Sequence, residues 1–198
     1  ISGRPLAQGW SGKLWALEQG REKVGSEYIL LLDADIELQA GTIATLLNKL
    51  ESEKLDMVSL MAFLRMQSFW ERLLMPAFIY FFKLLYPFAL SNSRSKLVAA
   101  AAGGCILMKT KKLEEIGGFA ALKDKLIDDC SLARLIKQSD GRTWIGLSHS
   151  AVSHRCYDSI DTIWNMVART AYTQLHYSVV LLLLCTLLML LAFALPVL

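Results

Sequence analysis

Cysteine is scarce and scattered. The 198 residues hold four, Cys105, Cys130, Cys156 and Cys185, without the paired spacing of a zinc site or a disulfide framework. A reducing, cytosolic setting is therefore expected. Concentrated positive charge is also missing. The net charge is +3 and no block of Lys or Arg is interleaved with aromatics, so no nucleic-acid partner is expected. There is no internal repeat and no low-complexity linker, and no signal peptide is expected. This length allows one sizeable core.

Apolar residues, by contrast, are in excess: 54% of the chain, with a mean hydropathy of +0.39. Residues 179–198 contain no charge and only Thr186 as a polar group. About 20 such residues match a hydrocarbon core of roughly 30 Å and predict a transmembrane helix. Arg155 and Arg169 precede it and no positive charge follows, which puts the globular part in the cytosol. Residues 73–90 are apolar but interrupted by Pro76, Lys83 and Pro87. They are expected to lie on a membrane or under a lid rather than to span.

The most informative stretch is Tyr28, Ile29, Leu30, Leu31 and Leu32 running into Asp33 and Asp35. A short continuous apolar run reads as a strand buried on both faces, as inside a parallel sheet. Its C-terminal end is where open α/β sheets bind ligands. Two Asp at i and i+2 on a regular strand share a face and can converge on Mg²⁺ or Mn²⁺. A solvated acidic turn is the plainer alternative.

Upstream, Ser11 is a fitting N-cap for a helix over 14–24. Gly12 and Lys13 at its start suit an anion, though an ordinary capped helix needs nothing more; the spacing is not that of a Walker A loop. Ile43, Leu46, Leu47 and Leu50 mark a one-faced helix, and 56–63 a buried strand, giving an α/β layer. Gly103 and Gly104 permit close approach of backbone or ligand before a strand over 105–108. Thr110 is expected to cap a short helix that ends at Gly117, with Phe119 packing back. Asp128 and Asp129 open an amphipathic helix containing Leu132, Leu135 and Ile136, where the helix dipole favours ionised carboxylates. Capping by Asp128 and a base aimed into a cleft read alike. Residues 142–147 suit a last strand, with His149 and His154 in the loop beyond. Two loop histidines are more often exposed than ligating. Residues 160–175 carry a long apolar helical stripe, expected at the membrane surface.

The ordered set (Gly12 and Lys13 with Ala16 and Gly20, the strand into Asp33 and Asp35, Gly103-Gly104, Gly117-Gly118-Phe119, then Asp128-Asp129) resembles family 2 glycosyltransferases of GT-A fold. Among membrane-attached members it is most similar to the bacterial hopene-associated glycosyltransferases. The resemblance implies a GT-A-like (Rossmann-like) α/β mixed sheet with flanking helices over residues 1–155, incomplete at the N-terminus. An amphipathic interfacial helix over 156–178 and a transmembrane helix over 179–198 would follow. It implies inverting sugar transfer from a nucleotide-sugar donor to an acceptor hydroxyl, on a membrane lipid, at the bacterial inner membrane with the catalytic domain cytoplasmic. By the same resemblance a divalent metal, Mg²⁺ or Mn²⁺, is held by Asp33 and Asp35, and Gly12, Lys13 and Asp33 contact the donor. Asp129 is the base, with Asp128 beside it, and Gly103, Gly104 and Arg169 face the acceptor. The Gln-x-x-Arg-Trp motif of processive and ceramide-type members is half met: Met166 and Thr170 flank Arg169. Two rival classes remain, an aspartyl-phosphate phosphatase and a non-catalytic membrane-anchored scaffold. Glu37 stands where the phosphatases want Thr or Val.

Overall fold

A computed structural model of the chain describes residues 3–123, 128–175 and 178–191. The chain divides into two compact units, Ile1–Cys156 and Tyr157–Leu198. In the first, five strands form one mixed sheet: β1 (Tyr28–Leu32), β2 (Ile36–Leu38), β3 (Met57–Phe63), β4 (Cys105–Lys109) and β5 (Thr143–Ser153), in the order β1-β4-β3-β5-β2. Only β3 and β5 run parallel; the other pairs are antiparallel.

The apolar run of β1 predicts its faces correctly and its place wrongly. Ile29 and Leu31 enter one cluster while Tyr28 and Leu30 lean on the other, as alternation across a strand requires. Yet β1 sits at the sheet's edge, antiparallel to β4. An apolar run records what covers the two faces and says nothing about neighbours in the plane.

One layer over the sheet comprises α1 (Gly12–Arg21), α5 (Thr110–Glu115), the 3-10 turn Gly118–Leu122 and α6 (Asp128–Gln138), packed through Leu14, Leu113, Phe119, Leu122, Leu132 and Ile136. The opposite layer is α2 (Thr42–Ser52), which buries Leu46 and Leu50. Each such side chain contributes about 1.5–3 kcal/mol by leaving water. Thr110 does not cap α5. It is the first helical residue, and its buried hydroxyl has no hydrogen-bond partner. The helix does end as expected, with Gly117 at φ +92° and Phe119 folded back into the core.

Ala99 and Ala101 pack into the first of these layers, and Ala100 beside Tyr86, Cys130 and Ile145, without regular structure. Side chains take up part of the polar backbone here. Ser91 Oγ accepts the Ala100 N–H at 2.9 Å, and Ser59 Oγ both accepts from Ala102 N and donates to its carbonyl. Only small residues fit there, and they deliver Gly103 to the end of β4. Before them come α3 (Phe69–Leu85), closed by a Ser68–Glu71 capping box, and α4 (Phe88–Ser91). Pro76 lies inside α3 without ending it.

The last strand is longer than the sequence predicts. The β3–β5 register runs from Met57↔Thr143 to Met61↔Leu147, then jumps to Phe63↔Val152. This bulge carries β5 on to pair with β2. His149 is thus inside β5 rather than in a loop, its ring 4.9 Å from that of Phe63.

The second unit holds α7 (Ile160–Gln174), a helix over the range of the predicted stripe, and α8 (Val179–Met189). No described helix is long and apolar enough to cross a membrane. Residues 192–198 of the predicted span lie outside the described residues, as does the side chain of Arg169.

Candidate active site

The N-cap sets the first residue of the site. Ser11 Oγ accepts the Leu14 N–H at 3.3 Å, starting α1 at Gly12 and placing Lys13 in its first turn. Lys13 Nζ lies 3.2 Å from Asp33 Oδ1, both side chains about half exposed. Asp33 follows the last residue of β1. Its N–H donates to the Gly104 carbonyl at 3.0 Å, and its own carbonyl accepts the Ile36 N–H at 3.0 Å. That second bond closes a turn. Asp33 and Asp35 are therefore on a turn, not on one regular strand, and the shared-face argument does not hold. Asp35 instead belongs to the β2–β5 side: its Oδ2 accepts from Ser153 Oγ at 2.8 Å, and its carbonyl accepts the His154 N–H at 2.8 Å.

Asp129 comes from the first turn of α6. Its Oδ2 accepts the Gly103 N–H at 2.8 Å and its Oδ1 accepts the Cys130 N–H at 2.7 Å. Gly103 is the pivot. A Cβ there would stand 3.2 Å from Asp129 Oδ2 and 3.4 Å from Lys13 Nζ, so the carboxylate and the ammonium are neighbours across it. Four chain segments thus bring Lys13, Asp33, Gly103 and Asp129 to one pocket. Its remaining wall is apolar: Leu14, Leu17, Leu31, Leu32, Ile106, Phe119, Leu122 and Leu132. Low-polarity walls strengthen charge interactions beside them. Burial, and secondarily the Asp129 charge, push the neighbouring Cys130 thiol up to about 12.

Other predicted residues fall elsewhere. Gly104 backs onto Ile36, 3.2 Å from where its Cβ would be, and Gly12 faces open space. Asp128 opens α6 in the backbone, but its side chain is outside the described residues. His154 is paired with Glu37 at 2.6 Å. Among the described residues, no group of three His, Cys, Asp or Glu could hold a metal ion. Sequence reasoning missed Ser153. The signal was the alternation that buries Ala151 and Ser153 at i and i+2.

A mixed sheet with helices on both faces, and a turn carrying Asp-x-Asp opposite an acidic residue that opens a helix, together describe a GT-A-like glycosyltransferase domain. The chain belongs to glycosyl transferase family 21, whose pattern matches residues 4–197. Family 2 was the expectation from the motifs; the matching family is 21. Family membership also removes the ground from the phosphatase alternative.

Two solved structures of glucosyl-3-phosphoglycerate synthase from Mycobacterium tuberculosis are similar. One is in complex with phosphoglyceric acid, the other with Mn²⁺, UDP-glucose and phosphoglyceric acid. Identity is 16% in both, TM-scores are 0.41 and 0.42, and each match covers 85% of this chain and 56% of the other. The chain therefore spans just over half the length of the solved structures it matches. No match was found among curated proteins.

Proposed function

We propose that the protein transfers a sugar, with inversion, from a nucleotide-sugar donor to an acceptor hydroxyl. Asp129 takes the acceptor's proton. The acceptor oxygen bonds to the anomeric carbon, while the bond from that carbon to the diphosphate breaks and its electron pair leaves with the nucleoside diphosphate. Lys13 meets the charge growing on the diphosphate. Its half-exposed pair with Asp33 is worth at most about 1 kcal/mol, so a phosphate displaces it at little cost.

A divalent ion, Mg²⁺ or Mn²⁺, would supply further neutralisation of the diphosphate. Asp33 offers hard carboxylate oxygens at the pocket, with Asp35 two residues on. With no cluster of three ligands among the described residues, such an ion would draw mainly on donor phosphates and water, as Mg²⁺ commonly does. The acceptor we favour is a membrane lipid, hopanoid-like as in the resembled enzymes, at the inner membrane of a bacterium. Residues 179–198 would anchor the chain, with the catalytic unit cytoplasmic. Support comes from the uncharged run that α8 begins and the exposed apolar residues along it.

The observation that carries the reading is the convergence of Lys13, Asp33 and Asp129 around Gly103. The test is Asp129→Asn in the full-length protein, with UDP-glucose as the first donor probe. Transfer should fall roughly 10²–10⁴-fold, the scale of general-base loss, while donor affinity holds. Unchanged transfer would remove Asp129 from the chemistry.

A further inference from the structure

We infer that the outward face of α3 docks on a bilayer surface bearing anionic headgroups. This rests on the membrane reading above and deepens it, naming the face that meets lipid and the lipid charge it recognises. Phe69, Leu73, Tyr80 and Leu84 recur at spacings of four, seven and four residues, which sets them in one stripe, and each is more than half exposed. A helix face meeting only water is polar with mixed charges. This one is apolar at its centre, and the helix is nonetheless firmly seated: Met75 and Glu71 on its other side are fully buried.

The charge around the stripe decides what it fits. Glu71 is the only acidic residue in positions 57–113. It lies on the buried side, where its carboxylate accepts the Gln67 and Ser68 N–H groups at 2.9 Å each. The exposed face of α3 thus carries no negative charge. Arg72 and Lys83 flank it, both exposed; eleven residues apart, they lie within about 20° of each other around the helix. Lys83 Nζ stands 5.7 Å over the ring of Phe88 in α4, which joins that short helix to the same surface. Aromatic and leucine residues flanked by cations, without acids, are what an interfacial helix offers to anionic lipid. A second copy packed face to face would bring cations toward cations.

The test uses the full chain in vesicles, with Cys156→Ser and Cys185→Ser removing the exposed thiols and an environment-sensitive dye placed through Leu84→Cys or, separately, Leu73→Cys. Vesicles are phosphatidylcholine with or without phosphatidylglycerol, doped with a shallow nitroxide lipid. Docking predicts a blue shift and quenching that require phosphatidylglycerol and fade at high salt. In an Arg72→Gln/Lys83→Gln background the docked-to-undocked ratio should fall roughly 25-fold, from about fivefold per cation at an anionic surface. A dye that stays in water in both vesicle types overturns the inference. So does equal shielding without phosphatidylglycerol that salt does not change, because then α7–α8, a second copy or neutral lipid covers the stripe. Sugar transfer from UDP-glucose is measured in the same vesicles with a hopanoid alcohol included as acceptor. An undocked dye with transfer intact refutes docking alone, whereas a docked dye without transfer refutes the proposed activity alone.

Discussion

Replacing Gly103 by alanine inserts one methyl group between the two charged partners of the site. The new Cβ would stand 3.2 Å from Asp129 Oδ2 and 3.4 Å from Lys13 Nζ. Lys13 ends a flexible chain and can step aside. Asp129 cannot do so freely, because both its oxygens hold backbone N–H groups. The carboxylate must retreat by a few tenths of an ångström, and the 2.8 Å bond from Gly103 N–H lengthens with it. Losing part of a charge-assisted hydrogen bond costs about 1 kcal/mol. Against this, Gly103 is not among the glycines at positive φ, so alanine gains about 0.4–1 kcal/mol by restricting the unfolded chain. Stability should change by less than about 1 kcal/mol, or about 2–4 °C in Tm. The reaction is less forgiving. If a misplacement of about 1 Å costs about 10²-fold, a few tenths cost roughly 3–10-fold. The assay is kcat for transfer at saturating donor, beside donor affinity and thermal unfolding by circular dichroism. An unchanged kcat would show that the seat of Asp129 against Gly103 is irrelevant to the reaction. A fall in kcat matched by a large fall in Tm would mean that the glycine is merely structural.

Gly146→Ala should separate stability from the site: its Cβ would collide with the Trp144 indole. Displacing that ring should cost about 1–3 kcal/mol, seen as a lower urea midpoint, and an unmoved midpoint contradicts the packing described. Lys137, buried and donating to the carbonyls of Ser95 and Val98 at 2.9 and 2.8 Å, should cost about 2–4 kcal/mol on change to Met, since those acceptors lose their partner; an unchanged Tm would show them satisfied otherwise. Burial pushes the thiols of Cys105 and Cys130 up to about 11 and about 12. Iodoacetamide at about pH 8 should therefore modify Cys156 and spare these two until the protein unfolds. Both buried thiols ionise more readily in the unfolded chain, so their contribution is complete below about pH 9 and is lost as pH rises toward about 12; a urea midpoint flat across that range would refute it.

The elements that the sequence announced were those with a local signature. Ser11 ahead of Gly12-Lys13 started α1, Leu46 and Leu50 set the buried face of α2, and Gly117 stopped α5. Asp129 and Lys13 were legible as candidates because each occupies a helix start, where backbone direction fixes where the side chain points. Pairing was not legible. Ser148, His149 and Ser150 read as a polar loop, yet they lie in β5, because the register jump carries that strand past the end of β3 with no buried apolar residue to mark it. The partner of Asp35 was hidden for the same reason. Nothing near Ser153 in sequence reveals that it faces a residue 118 positions away.

Chain length explains why the bend must exist. β1 and β2 stand at the two ends of the strand order, yet only residues 33–35 separate them. Four Cα steps reach about 14 Å at most, whereas four strand spacings in a flat sheet need about 19 Å. A flat sheet cannot be joined that way. The register jump between Leu147 and Val152 resolves the conflict by bringing the end of β5 to the turn after β1. The Asp-x-Asp turn is therefore compact, with Asp33 bonded toward β4 and Asp35 toward β5. Its two carboxylates take different partners, Lys13 for Asp33 and Ser153 for Asp35. The backbone bond from Asp33 to Gly104 holds Asp33 at the end of β1, where Lys13 of the first turn of α1 reaches it at 3.2 Å.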